Sequence, residues 1–168
     1  LNVAENTIVW FCSDNGPSYI HNFNSAGGLR GKKAELYEGG IRVPAMLEWT
    51  NRIHKHTVSQ LPAFTSDFYP TILSICGVQM KNQPPLDGQN IMDLLLSNKS
   101  ERTEPLLFQS LLPNRLKKYR SVKMQQYAMI GNRFKIISMD DGRNYELYDL
   151  INDPSEKTDL AAEKPDIV

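Results

Sequence analysis

The sequence predicts an α/β protein in which a mainly parallel sheet with helices is followed by a small antiparallel sheet and a terminal helix. Three observations predict it. The run Ile8–Cys12 is almost continuously apolar, as in a strand covered on both faces. A second apolar run, Val43–Trp49, follows a long polar stretch. After residue 104 the pattern changes to short alternating segments punctuated by turn dipeptides.

Taken in order, Asn2–Asn6 reads as the end of a helix and Thr7–Ser13 as the first strand. Gly16–Ala34 is a long polar loop containing Gly27, Gly28 and Gly31, and loops of that length are commonly functional. Val43–Trp49 is expected to be a neighbour or near neighbour of the first strand in the parallel sheet. Asp67–Cys76 carries Phe68, Ile72, Leu73 and Ile75 at helical spacing, with Ser66 as N-cap and Gly77 as C-cap. Asn82–Gly88 is a surface loop and Ile91–Leu96 a short helix. The polar stretch Asn98–Glu104 marks a boundary between residues 1–103, the α/β portion, and 104–168, the antiparallel subdomain. Leu106–Gln109, Gln126–Ile130, Phe134–Ser138 and Tyr145–Leu150 read as strands, with hairpin turns at Gly131-Asn132 and Asp141-Gly142. Ser155–Ala162 is expected to open the terminal helix, with Ser155 as its cap.

The 168 residues suffice for one sizeable core. Lys plus Arg and Asp plus Glu both number 19, so the charge balance points to no nucleic-acid partner. No apolar run approaches the length of a membrane span. The chain begins at Leu1 with no signal-peptide pattern, and this start reads as a position inside a longer chain. Two cysteines cannot define a disulfide framework, and Cys12 and Cys76 are expected to be free, buried thiols.

The chemistry concentrates in two segments. The first strand runs into Ser13-Asp14-Asn15-Gly16, placing a carboxylate and an amide oxygen at its carboxyl end, where open α/β sheets bind ligands. These are the hard oxygen donors that Ca²⁺ and Mg²⁺ prefer. The bland reading is a turn, since Asp, Asn and Gly all tolerate left-handed backbone angles. Leu29–Pro44 then offers Lys33 nearby. A cation site beside a lysine suits chemistry on a phosphate or sulfate ester. His21, in the intervening loop, has the chemistry to donate a proton to a leaving alcohol or to bind sulfate; a loop histidine without a partner is otherwise simply exposed.

Together these segments resemble the sulfatase family of the alkaline-phosphatase-like superfamily. The resemblance rests on Ser13-Asp14-Asn15-Gly16, Leu29-Arg30-Gly31-Lys32-Lys33, Tyr37-Glu38-Gly39-Gly40-Ile41-Arg42-Val43-Pro44, Asp67-Phe68-Tyr69-Pro70-Thr71-Ile72-Leu73, Leu86-Asp87-Gly88, Glu146-Leu147-Tyr148-Asp149-Leu150 and Asn152-Asp153-Pro154. Each is weak alone; their order and spacing are specific. The resemblance implies an alkaline-phosphatase-like fold, with Asp14 and Asn15 holding part of a divalent cation site, Ca²⁺ before Mg²⁺. That cation acts as a Lewis acid on the sulfate oxygens. The family loop usually reads Leu-Arg-Gly-Gly-Lys-Gly. Counting back from Tyr37 aligns Lys33 with the sulfate-binding lysine, which neutralises charge on the leaving oxygen. Lys32 stands where Gly is usual and Ala34 replaces another Gly, so the choice between Lys32 and Lys33 stays open.

The family nucleophile is a formylglycine made within Cys/Ser-x-Pro/Ala-x-Arg, and neither Cys12 nor Cys76 lies in such a motif. The resemblance therefore implies the C-terminal part of a sulfatase, with formylglycine and further acidic metal ligands in a missing N-terminal half. The family reaction is attack of hydrated formylglycine on sulfur, loss of the alcohol, and expulsion of sulfate to regenerate the aldehyde. A sulfated small molecule or glycan is the implied partner, and a periplasmic, secreted or lysosomal location the implied setting. The chain alone is expected to be inactive and to self-associate through uncovered apolar surface. Two alternatives stand beside this reading: a phosphate-ester hydrolase of the same superfamily, and a noncatalytic sulfatase-like binding domain.

The remaining features have structural readings. Gly39-Gly40 suggests positive φ beside the site, with Glu38 and Arg42 paired across the turn. His54 and His56 alternate without a third ligand, and Arg115–Lys123, with five basic residues, reads first as a solvated face. Trp10, Phe11, Trp49, Phe68 and Tyr69 lie in core-like patterns, and Tyr145–Asp153 reads as an edge hairpin and turn.

Overall fold

The computed structural model describes residues 3–18, 25–110, 125–139, 142 and 144–168. A 3-10 turn at Ala4–Asn6 precedes β1 (Val9–Cys12), α1 (Glu38–Ile41) and β2 (Ala45–Glu48). A second 3-10 turn (Thr65–Asp67) leads into α2 (Phe68–Ile75) and then α3 (Met92–Leu96). Four strands follow: β3 (Leu106–Gln109), β4 (Gln125–Ile130), β5 (Phe134–Met139) and β6 (Asn144–Asp149). They form a sheet in the order β3-β4-β5-β6, antiparallel throughout; β1 and β2 form a separate two-stranded sheet.

The two apolar runs are neighbours, but they pair antiparallel, from Val9 opposite Glu48 to Cys12 opposite Ala45. The expected neighbours are found, but the mainly parallel sheet is not seen, since no parallel pair occurs among the described residues. The connection explains it. The chain leaves β1 and returns through α1 at the same end, where the Ser13 N–H donates to the Pro44 carbonyl (3.1 Å). An apolar run carries no information about strand direction. Nor is β1 covered on both faces: Trp10 stacks on Phe68 of α2, with ring centroids 3.8 Å apart, while Val9 and Phe11 are 56% and 53% exposed.

Asp67, not Ser66, anchors the start of α2. Its buried carboxylate accepts the N–H groups of Phe64 (3.0 Å) and Gln89 (2.9 Å) and is held by both terminal nitrogens of Arg102 (3.0 and 3.1 Å). Ser66 is exposed, and its carbonyl lies against Gly88, where a Cβ would come within 2.1 Å of it. Gly77 ends the helix at φ +63°, as expected of a C-cap. Both cysteines are free, but Cys12 is only half-buried and Cys76 is exposed, against the expectation of buried thiols.

The four expected late strands form β3 to β6, and the Gly131-Asn132 reversal joins β4 to β5. Asp141, His21 and Arg115–Lys123 lie outside the described residues. Residues directly opposite in an antiparallel pair share a face. Phe108, Ala128, Ile137 and Glu146 therefore line the inner face, as do Ile130, Lys135 and Tyr148. Leu36 and Tyr37, just before α1, pack onto this face with Ala128, Ile137, Met139 and Tyr148. The core thus draws on both sides of residue 104. The outer face leaves Leu107, Tyr127, Met129 and Tyr145 exposed.

The expected helix from Ser155 does not form; residues 154–168 are a series of turns. Side chains there take backbone donors that a helix would need. Asp153 accepts the Lys157 and Thr158 N–H groups (2.7 and 2.8 Å), and Asp159 accepts those of Leu147 and Ala161 (3.0 and 2.9 Å). The Leu160 N–H donates to the Leu147 carbonyl (2.8 Å), so this segment covers the edge strand β6. Among the described residues no helix is long and apolar enough to cross a membrane.

Candidate functional site

The loop after β1 is a tight turn. The Ser13 hydroxyl donates to the Asn15 carbonyl (3.1 Å), and Asn15 Nδ2 donates to the Gly16 carbonyl (2.9 Å). The amide nitrogen of Asn15 is thus engaged, and Asp14, its neighbour in sequence, is exposed. Backbone hydrogen bonds tie this turn to the second chemical segment. The Lys33 N–H donates to the Pro17 carbonyl (3.0 Å), the Gly16 N–H to the Gly40 carbonyl (2.9 Å), and the Gly39 N–H to the Arg30 carbonyl (2.6 Å). The loops carrying Asp14, Asn15 and Lys33 are therefore adjacent.

Glycine makes this junction possible by allowing close approach. A Cβ on Gly16 would stand 1.9 Å from the Gly39 carbonyl oxygen, and one on Gly40 would stand 2.1 Å from that of Glu35. Gly39 and Gly40 sit in α1 and do not take the positive φ expected from the sequence; space, not dihedral freedom, demands them. Ala34, by contrast, holds φ +69°, at a position where the family usually has Gly. Lys33 is exposed, whereas Lys32 is half-buried and already engaged by neighbouring groups.

Asp14 and Asn15 carry oxygen types that suit a hard cation, and Ca²⁺ takes about 6–8 oxygens. Among the described residues no cluster of three His, Cys, Asp or Glu completes such a site. His54 and His56 are exposed and join none. Two surface hollows lie along the four-stranded sheet, and no residue of the 13–18 or 30–40 segments lines either.

Beneath the Glu38-Gly39-Gly40 turn lies a charged cluster that sequence reading missed. Lys135 Nζ donates to Glu38 Oε1 (3.0 Å) and stands 2.8 Å from Glu156 Oε1, an ion-pair contact off the angle of a hydrogen bond. Glu156 Oε2 accepts the Glu38 N–H (2.6 Å). Lys135 and Glu156 are fully buried; the expected partner Arg42 is 3.7 Å from Glu38 and half exposed. Burial pushes the Glu156 carboxyl above its ordinary range, against the pull of Lys135. The sequence did carry one signal. Lys135 shares a strand face with Ile137 and Met139, so alternation placed it inward.

A second cluster flanks the first. Arg30 donates to the hydroxyls of Tyr37 and Tyr148 (both 2.8 Å) and to the Glu156 carbonyl (3.1 Å). Both hydroxyls donate in turn to Glu146 Oε2 (2.7 and 2.8 Å). Burial, with Glu146 alongside, raises the Tyr148 phenol well above its ordinary value. The Glu146–Leu150 motif, read as an edge hairpin, thus braces the lysine-bearing loop from the sheet's inner face.

Residues 30–166 match the family model of the C-terminal region of N-sulphoglucosamine sulphohydrolase. A sulfatase of Formosa agariphila is 32% identical over 97% of this chain and 30% of its own length. Human arylsulfatase A is 28% identical over 95% of this chain and 34% of its own. Among solved structures, Ps i-CgsB superposes with a TM-score of 0.79 at 25% identity, over 99% of this chain and 35% of that one. A Bacteroides thetaiotaomicron protein studied in the metabolism of multiple glycosaminoglycans superposes at 0.78, also at 25% identity, over 99% and 37%. The chain spans about a third of the length of these relatives. The ordered motifs, the family match across residues 30–166 and the shared fold establish that this chain belongs to the sulfatase family and carries its C-terminal region.

Proposed function

We propose that the protein bearing this chain hydrolyses a sulfate ester of a carbohydrate to the alcohol and inorganic sulfate. The observation that carries this reading is the backbone junction. The Lys33 N–H to Pro17 carbonyl bond sets the lysine-bearing loop beside the Asp14-Asn15 turn. Asp14 and the Asn15 amide oxygen would hold a divalent cation, Ca²⁺ in preference to Mg²⁺, which supplies Lewis acidity toward the sulfate oxygens. Lys33 would bind the sulfate and neutralise charge on the leaving oxygen. Its exposure favours it over the engaged Lys32. His21 is the proposed proton donor to the leaving alcohol. The nucleophile, a formylglycine, and the remaining cation ligands come from the portion of the protein outside this chain.

A carbohydrate substrate is favoured by the neighbours. The structure of Ps i-CgsB with k-i-k-neocarrahexaose is 26% identical to this chain, with a TM-score of 0.72. The test is sulfate release by the full-length protein from sulfated oligosaccharides, aryl sulfates and phosphate esters, with and without a chelator. Release from a sulfated oligosaccharide that is lost with chelator, and lowered about 10²-fold or more by Lys33→Ala or Asp14→Ala, is expected. Faster release of phosphate than sulfate would replace this reading with a phosphate-ester hydrolase. Sulfate release unchanged in both variants would remove these residues from the mechanism.

A further inference from the structure

Glu156 is the most unusual residue among those described. It is fully buried and holds φ +54°, a left-handed conformation rare for a residue other than Gly, Asn or Asp. Strain of this kind persists only where surrounding contacts over-determine it, and such residues cluster at functional sites. Its own N–H donates to the Asp153 carbonyl at 3.1 Å, and three longer-range contacts hold it as well. The Glu156 carboxylate accepts the Glu38 N–H at 2.6 Å and pairs with Lys135 at 2.8 Å, and its carbonyl accepts Arg30 at 3.1 Å. Each of these three residues leads to the ester-binding loops. Glu38 begins α1, whose Gly40 carbonyl accepts the Gly16 N–H; the Arg30 carbonyl accepts the Gly39 N–H; and Lys135 returns to Glu38 at 3.0 Å.

We propose that Glu156 is a positioning residue for the sulfate-ester site: its carboxylate, backed by Lys135, sets the Glu38-Gly39-Gly40 turn and through it the loops carrying Asp14, Asn15 and Lys33. This rests on the assignment of those residues to ester binding. Charge explains why a carboxylate fills this role. The Glu38 N–H at the start of α1 is a donor that an apolar side chain would leave unsatisfied in the interior. Two carboxylates around one lysine also leave excess negative charge in the cluster, with Arg42 balancing it only from the surface. The arrangement is therefore specified by direction and register of contacts rather than by net attraction.

Backbone strain supplies a discriminating variant. Glycine adopts φ +54° more readily than glutamate. Glu156→Gly therefore relieves the backbone while deleting the carboxylate. Glu156→Gln keeps an acceptor for the Glu38 N–H and leaves Glu38 and Lys135 as a balanced pair. Asp67→Asn provides a control that perturbs a buried ion pair away from these loops.

In the full-length protein, Glu156→Gly should lower kcat/KM for a sulfate ester about 100-fold, on the scale of a roughly 1 Å misplacement of catalytic groups. Glu156→Gln should recover at least half of that loss on a logarithmic scale. Asp67→Asn should leave kcat/KM within a few-fold of the parent. Hydrogen-exchange mass spectrometry gives a readout independent of turnover. Peptides covering residues 13–18 and 31–40 should exchange at least tenfold faster in Glu156→Gly, relative to the β5 peptide, and not in Asp67→Asn. Full activity in Glu156→Gly, or loop exchange that keeps step with β5, overturns the proposal. If the parent protein releases no sulfate from any ester, the functional assignment fails, and the exchange data still decide whether Glu156 sets these loops.

Discussion

Gly16→Ala tests the backbone junction most directly. The new Cβ would stand 1.9 Å from the Gly39 carbonyl oxygen and 2.9 Å from both the Gly39 carbonyl carbon and Gly40 Cα. Ordinary contact begins near 3.4 Å, and all three atoms are main chain, so no rotamer change relieves the clash. The two segments must separate by about 1.5 Å, judged against ordinary van der Waals contact. That movement takes the Gly16 N–H···Gly40 carbonyl bond from 2.9 Å out of hydrogen-bonding range. Overpacking costs about 1–3 kcal/mol and loss of a buried backbone hydrogen bond about 1 kcal/mol more, so about 3 kcal/mol is expected. Gly77→Ala is the control. Its φ is +63°, but a Cβ there would meet nothing within 4 Å, and the change should cost about 1 kcal/mol. Urea unfolding midpoints at matched m-values measure both. A Gly16→Ala protein within about 0.5 kcal/mol of the parent, below the scale of any overpacking penalty, would refute the reasoning.

Arg102→Met should destabilise by about 3–5 kcal/mol, because it strands the Asp67 carboxylate in the interior. Chemical denaturation checks this, and adding Asp67→Asn should recover part of the loss. Acid stability should depend on Asp149, whose carboxyl is held down to about 2 by its hydrogen bond from Arg133. A lowered carboxyl pKa stabilises the fold fully above its unfolded value, about 4, and the contribution is lost as pH falls through about 2. Melting temperatures of the parent and Asp149→Asn should therefore differ most near neutrality and converge toward about pH 2.

The late strands were legible because β3 to β6 are short apolar-rich segments with partial alternation and Gly131-Asn132 marks a reversal. Period-2 patterning and turn chemistry are local signals. The direction of β1 against β2 was not, since an apolar run looks the same whichever way its neighbour points. The terminal helix failed for a nameable reason: Asp153 and Asp159 spend their oxygens on backbone donors, and Glu156 turns left-handed. The Asp14-Asn15 and Lys33 motifs stood out by residue type and order, and the structure makes their loops adjacent. Their support did not stand out. Lys135 and Glu156 lie 97 and 118 residues from Glu38, and only the folded sheet and the turns after it bring them beneath its turn.

That distance has a consequence for biosynthesis. The Asp14 and Lys33 loops leave the ribosome before the carboxylate and carbonyl of Glu156, which come 126 residues after Arg30. At about 5–20 residues per second, the gap is about 6–25 s. The nascent loops lack the β5 lysine for most of it and the C-terminal turn for all of it, and closing so long a chain segment comes before any reward from its contacts. The Asp14 and Lys33 loops are thus made well before the contacts that set them.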